Sequence, residues 1–176
     1  LVPGKILDIG CGYGYFSLYL RDIYPKSNIL GIDYDEQKVA IAKEIVRNNP
    51  QVDFMYGDAM SLSFSEEFDT IFLNDVLHYF SKENQTALIA NLSSALKPGG
   101  KLFIRDGVRS SNESHNRTLL TEFFSTNLGF NKKEQEFYFP TEEEYLSLGT
   151  SHGLTTSMEI QENNLSNSLF IYKKPK

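Results

Sequence analysis

Lys5-Ile6-Leu7-Asp8-Ile9-Gly10-Cys11-Gly12-Tyr13-Gly14 joins a short apolar run to three glycines on alternate positions. A run with β-branched members that ends at glycines reads as a buried parallel strand leaving its sheet. Glycine has no Cβ and tolerates positive φ, so the chain can turn sharply there and a ligand can approach its backbone. Residues 15–22 follow with Phe16, Leu18, Tyr19 and Leu20, and Ile23 beyond, on a mixed helical face. The reading is strand, tight turn, helix. Such a turn is expected to aim free amides and a helix N-terminus at whatever lies above the strand.

Working outward, residues 28–33 (Asn-Ile-Leu-Gly-Ile-Asp) read as a second buried strand that ends in the carboxylate of Asp33. That acid falls about twenty residues past the glycines, the offset at which a carboxylate meets ribose hydroxyls in doubly wound sheets. The structural alternative is a cap for the next helix, for which Asp35 is equally suited. Residues 35–48 then show helical spacing, with Val39, Ala40, Ile41, Ala42, Ile45 and Val46 read as the buried side. Val52 to Tyr56 is a third strand with Gly57-Asp58-Ala59-Met60 at its exit, and residues 68–73 a fourth followed by Asn74-Asp75-Val76-Leu77-His78-Tyr79-Phe80. A long helix is expected over residues 81–96, with Leu88, Ile89, Leu92 and Leu96 in register. Lys97-Pro98-Gly99-Gly100 would stop it and return the chain to a fifth strand at residues 101–106.

A Gly-x-Gly-x-Gly turn alone is close to the Gly-x-Gly-x-x-Gly form of dinucleotide oxidoreductases. With Asp8 before the glycines and Asp33 downstream, residues 6–14 resemble motif I of the class I S-adenosylmethionine-dependent methyltransferases. Residues 74–80 look like that family's motif IV, and Leu-Lys-Pro-Gly-Gly-Lys-Leu-Phe-Ile (residues 96–104) like its structural turn into strand five. The resemblance implies an α/β, Rossmann-like, doubly wound and mostly parallel seven-stranded sheet ending in an antiparallel hairpin, here residues 154–160 and 168–172. It also implies S-adenosylmethionine as cofactor. Asp8, Gly10, Cys11, Gly12, Tyr13 and Gly14 would form its cradle, Asp33 the ribose acceptor, and Tyr34 a neighbour of the adenine. Asp58, Ala59 and Met60 would meet the adenine edge and face. Asn74 would offer its carbonyl to the methionine amine, with Asp75 beside it. A thiol at Cys11 near a helix N-terminus can be activated, yet a small residue filling the turn is the simpler account.

Proton transfer, where the acceptor needs it, falls to His78, Tyr79 or His115, in that order. A lone histidine flanked by Leu77 and Tyr79 equally suits a packed, hydrogen-bonded position. Residues 107–139 change character: a Ser/Asn-rich stretch precedes a helical pattern at residues 118–124 and the aromatics Phe130, Phe137, Tyr138 and Phe139. They read as a substrate-facing cap inserted after strand five, where such folds acquire specificity. Pro140 to Tyr145 opens a last helix, with Thr141 and Glu144 as a capping box.

The 176 residues carry a net charge of −6 and a single cysteine. That length suits one domain over residues 1–176. The acid balance argues against a nucleic-acid backbone as partner. No Cys/His cluster has zinc spacing, so no metal is expected. No apolar run is long enough to span a bilayer and no signal peptide precedes the first strand, which reads as a cytoplasmic chain. The chain opens at Leu1, and residues 104–132 look like the methyltransferase modules that some bacterial proteins fuse to a transporter and an acyltransferase. That similarity implies a longer polypeptide and a lipid-like or phenolic small-molecule acceptor. The function expected is methyl transfer to an oxygen. The alternatives are a catalytically silent cofactor-binding or regulatory domain and, further off, a nicotinamide-dependent oxidoreductase.

Overall fold

The computed structural model describes residues 4–109, 137–161 and 167–176. Five strands, β1 (Lys5–Ile9), β2 (Asn28–Asp33), β3 (Val52–Tyr56), β4 (Phe68–Asn74) and β5 (Leu96–Gly107), pair in parallel. β6 (Thr155–Gln161) and β7 (Asn167–Lys173) pair antiparallel, and β7 joins the sheet antiparallel to β5. The strand order is β3-β2-β1-β4-β5-β7-β6. This is the expected mostly parallel sheet with an antiparallel ending. The order reverses between β1 and β4, so the crevice above their carboxyl ends is the topological switch point at which such sheets bind ligands.

Two apolar clusters pack on the sheet, and successive residues of β1 divide between them as a period of two requires. Ile6 joins Leu20 of α1 (Tyr15–Ile23) and Val39, Ala42 and Val46 of α2 (Glu36–Val46). Leu7 and Ile9 join Leu88, Ile89 and Leu92 of α3 (Lys82–Ala95) and Tyr145 of α4 (Glu142–Thr150). Asp35 caps α2, accepting from the amides of Gln37 and Lys38, which settles which of the two acids is the helix cap. The expected capping box of Thr141 and Glu144 is present at the start of α4.

Three expectations need correction. Ala40, Ile41 and Ile45 do not join the buried side of α2; Ile41 and Ile45 are about half exposed. Three residues at helical spacing, Val39, Ala42 and Val46, suffice to seat the helix, and the other apolar side chains lie around its flank. Tyr19 and Ile23 of α1 are likewise exposed. At the end of α3 the helix stops at Ala95, and Leu96 is already extended and paired with Phe68. Pro98, Gly99 and Gly100 therefore sit inside an irregularity of the β4–β5 ladder, with Gly99 at φ +80°, instead of between helix and strand.

The two described ends that flank residues 110–136 lie side by side: the amide of Arg109 donates to the carbonyl of Pro140 at 2.9 Å. Glu144 fastens this junction. Its carboxylate accepts from Lys82 Nζ (2.7 Å), the Tyr138 hydroxyl (2.7 Å), the Thr141 amide (2.9 Å) and Arg109 Nη2 (3.2 Å). Against the desolvation that opposes its charge, these donors hold the Glu144 carboxyl down at about 2. The cap itself, with His115, Phe130 and the helical pattern at 118–124, lies outside the described residues.

Behind the junction, Tyr145 and Tyr172 are fully buried, and the Tyr172 hydroxyl donates to the Tyr145 carbonyl at 2.8 Å. A Cβ added at Gly149 would penetrate the Tyr172 ring. Gly149→Ala is therefore expected to lose stability although alanine favours helices, because overpacking of a pinned ring costs about 1–3 kcal/mol. A melting midpoint lowered by roughly 2–8 °C would be the result in calorimetry; an unchanged or raised midpoint would show that the ring gives way.

Candidate functional site

The glycine turn leaves β1 at the switch point, and its three glycines are there for different reasons. All have positive φ, at +74°, +54° and +81° for Gly10, Gly12 and Gly14. A Cβ at Gly10 would strike Val76 and one at Gly14 would strike the Phe54 ring, whereas one at Gly12 would meet nothing within 4 Å. Gly12 thus borders open space above the sheet, the place where a ligand can lie against the backbone.

Four of the turn's amides, those of Gly10, Cys11, Gly12 and Gly14, are taken up within the protein. The Ile32 carbonyl accepts from the amides of both Gly10 (2.8 Å) and Cys11 (3.1 Å), and the Cys11 carbonyl accepts from Gly14 (2.9 Å). Asp33 Oδ2 accepts from Gly12 at 2.8 Å, while Oδ1 accepts from Asp35 at 2.9 Å. What the turn presents is consequently a carboxylate beside an open glycine. Asp33 is oriented by two amides, and each of its oxygens keeps further acceptor capacity for a diol.

Asp8 lies beneath α1, almost fully buried, where its Oδ2 accepts from the Ser17 hydroxyl at 2.6 Å. Burial pushes its carboxyl up to about 7, the Ser17 hydrogen bond offsets part of that, and the charge of Asp33 adds to it. Cys11 faces the core beside Gly31, and burial with two nearby carboxylates drives its thiol far upward. It stays a neutral thiol, which supports the turn-filling account over an activated nucleophile. Tyr13 is partly exposed with its ring 5.9 Å from Lys38 Nζ, and Tyr34 is mostly exposed next to Asp33.

The exits of β3 and β4 complete the rim. The Gly57 amide donates to the Asp33 carbonyl at 3.0 Å, which places Asp58, Ala59 and Met60 beside the end of β2. Asp58 is exposed and caps a short 3-10 turn by accepting from the Met60 amide. Asn74 ends β4 opposite Arg105 of β5. Asp75 adopts φ +53°, a left-handed backbone rare for a residue with a Cβ, and its carboxylate accepts from Arg105 and from Asn167 Nδ2 (2.8 Å). Asp75 therefore reads as a tie between β4, β5 and β7.

His78 follows in a 3-10 turn at Leu77–Tyr79, 1% exposed. Its Nδ1 lies 2.6 Å from Asp106 Oδ1, and its backbone amide donates to Asp106 Oδ2 at 3.1 Å. Asp106 also accepts from the Gly107 amide at 2.7 Å. The His78 ring stacks on Phe139 (4.9 Å between centroids) and borders Tyr79 (4.3 Å), which meets Phe137 edge-on at 5.5 Å. For Tyr79, burial first and then the charges of Tyr34 and nearby carboxylates raise the phenol above its ordinary range. Its hydroxyl is suited to donating a hydrogen bond and unsuited to acting as a base.

The structure places the glycines, Asp33, Tyr34, Asp58, Asn74 and Asp75 around the carboxyl ends of β1 to β4, with Tyr79 half-buried next to them and Asp8 and His78 buried behind them. Sequence reading missed Ser17 as the partner of Asp8, Asp106 as the partner of His78, and Gln85, which is buried behind the His78 turn. Gln85 carried a signal: it is a polar residue in helical register with Leu88, Ile89 and Leu92.

Residues 6–100, more than half of the chain, match the family described as Methyltransferase domain. The chain is 33% identical over 104 residues to a malonyl-[acyl-carrier protein] O-methyltransferase of Halalkalibacterium halodurans, covering 57% of this chain and 38% of that protein. It is 34% identical over 108 residues to phosphoethanolamine N-methyltransferase 1 of Triticum aestivum, covering 60% and 21%. The chain thus spans well under half the length of these relatives. A crystal structure of a SAM-dependent methyltransferase from Methanosarcina mazei superimposes with a TM-score of 0.79 at 21% identity, covering 99% of this chain and 94% of the other. Among the described residues no helix is long and apolar enough to cross a membrane. The open glycine turn, the oriented Asp33 and these similarities lead to one conclusion: the chain belongs to the class I S-adenosylmethionine-dependent methyltransferases.

Proposed function

We propose that this domain transfers a methyl group to an oxygen of a small acceptor, with a phenol-like hydroxyl as the best match. The observation that carries the reading is the buried His78–Asp106 pair at 2.6 Å, set behind the motif IV turn and under an aromatic wall. S-adenosylmethionine supplies the methyl group as an electrophilic sulfonium. The residues present suit it: Gly12 leaves room beside the backbone, Asp33 would accept from ribose hydroxyls, and Asp8 would set a carboxyl beneath the cationic amino-acid end.

The acceptor's proton is the task left to the chain. Asp106 next to Nδ1 holds the tautomer in which Nδ1 carries hydrogen, so Nε2 bears the lone pair that takes the hydroxyl proton. The positive charge then on the ring lies beside the Asp106 carboxylate, an arrangement that costs no reorganisation. Phe137 and Tyr79 offer edges and faces to a planar acceptor, and Tyr79 can donate a hydrogen bond to its oxygen. Alignment and exclusion of water supply the rest, on the order of 7–11 kcal/mol in favourable cases. The relatives named above are a malonyl-[acyl-carrier protein] O-methyltransferase and a phosphoethanolamine N-methyltransferase, so an amine panel is the proper comparison in any acceptor screen.

The test is transfer of labelled methyl from S-adenosylmethionine to parallel panels of phenols, aliphatic hydroxyls and amines. Preference for phenols is expected, with His78→Gln slower by roughly 10²–10⁴-fold. Preference for amines would refute the oxygen reading, and full activity in His78→Gln would refute the role of His78 as base; cofactor binding without transfer to any panel would favour a silent cofactor-binding domain.

Two expectations concern the cofactor cradle. Asp33→Ala should weaken S-adenosylmethionine binding in calorimetry by about 1–3 kcal/mol, the scale of hydrogen bonds to a charged group; unchanged affinity would remove Asp33 from the site. For Asp8 the sign follows from a carboxyl raised from 3.8 to about 7 on folding. The ligand-free fold retains a proton that the unfolded chain has released, so this stabilising contribution is complete below pH 3.8 and is lost as pH rises through about 7. Asp8→Asn should flatten that decline, which amounts to at most on the order of 4 kcal/mol. An identical pH profile of chemical unfolding in the variant would show that Asp8 does not titrate there.

A further inference from the structure

Gln85 is 1% exposed near the start of α3, and its carboxamide serves three backbone carbonyls at once. Nε2 donates to Tyr138 (2.8 Å), Leu77 (3.0 Å) and Phe80 (3.2 Å). Leu77 and Phe80 bracket His78 and Tyr79. The Tyr138 amide in turn donates to the His78 carbonyl at 3.1 Å. The amino side of His78 is held by Asp106, which takes both its backbone N–H and its ring Nδ1.

We propose that Gln85 is a positioning residue for methyl transfer: its carboxamide clamps the backbone on both sides of His78 to residues 137–139, and so fixes the direction of the imidazole. This rests on the reading of His78 as the proton acceptor. The chemistry selects an amide. A carboxamide brings two N–H bonds to share among three acceptors, whereas an ionised glutamate brings none. An apolar residue would continue the stripe of Leu88, Ile89 and Leu92 but would take this donor from the Phe80 and Tyr138 carbonyls and leave the Leu77 carbonyl with the Phe80 amide. Residues 137–139 also carry Phe139, which stacks on His78, and Phe137, which meets Tyr79. One side chain therefore keeps the ring, its stacking partner and the acceptor-facing aromatics in mutual register. A misplacement of about 1 Å at such a centre is enough to cost two orders of magnitude in rate.

The test is ring-nitrogen NMR of the intact chain, which has only three histidines to assign, with S-adenosylhomocysteine as the bound probe. In the parent protein His78 should show a single tautomer protonated at Nδ1. Gln85→Met should average the His78 tautomers and speed exchange of the Nδ1 proton by at least about tenfold, while probe affinity stays within roughly twofold and unfolding remains cooperative. Gln85→Asn keeps the amide but retracts it by one methylene, and it takes the place of the methionine variant if that does not fold. The same spectral change is expected. An unchanged His78 signature in a cooperatively folded variant would overturn the proposal and leave Gln85 a buried space-filler. A parent spectrum without a protonated Nδ1 would instead refute the base assignment of His78, so the two failures are separable.

Discussion

The ends of β1 and β2 are joined by a small group of hydrogen bonds on which the rim depends. The Ile32 carbonyl receives two amides of the glycine turn, and the next residue, Asp33, receives a third through its carboxylate. Such closure requires positive φ at alternate positions, which explains Gly10, Gly12 and Gly14 together. It also converts a glycine-rich stretch into a hydrogen-bonded lip. Binding energy for a nucleoside is then not consumed in ordering the loop.

A second buried carboxylate performs the same service on the other side of the switch point. Asp106 at the end of β5 gathers the backbone and ring of His78 and its own neighbour Gly107, and the Tyr145 hydroxyl secures the Gly107 carbonyl from α4 at 3.0 Å. The two acids thus fix two sides of the rim, from strands on opposite flanks of β1 and β4.

Much of this was legible in the chain because local rules carried it. Glycine spacing, the acid closing β2, Asp35 as a cap and the capping box at Thr141 are each readable within a few residues. The pairing of Gly12 with Asp33 spans 21 residues and that of His78 with Asp106 spans 28, and no periodicity encodes such distances. Ile41 and Ile45 misled for another reason: hydropathy marks which residues prefer burial but does not say how wide a stripe the sheet can cover. Pro98, Gly99 and Gly100 read as a stop signal, yet the sheet absorbed them as a ladder irregularity, since pairing with Phe68 begins ahead of the proline. Gln85 was visible as a polar residue on an apolar stripe, and only the geometry shows which carbonyls required it.

The junction of Arg109 with Pro140, fastened by Glu144, bears on how such a domain diversifies. The end of β5 and the start of α4 are held next to each other by contacts among residues 109, 140 and 144 themselves. The entropy of closing a loop grows only logarithmically with its length, roughly 0.6 kcal/mol per doubling. Segments of different length and composition could therefore be exchanged between Arg109 and residue 137 while the seven strands and the cofactor lip keep their register.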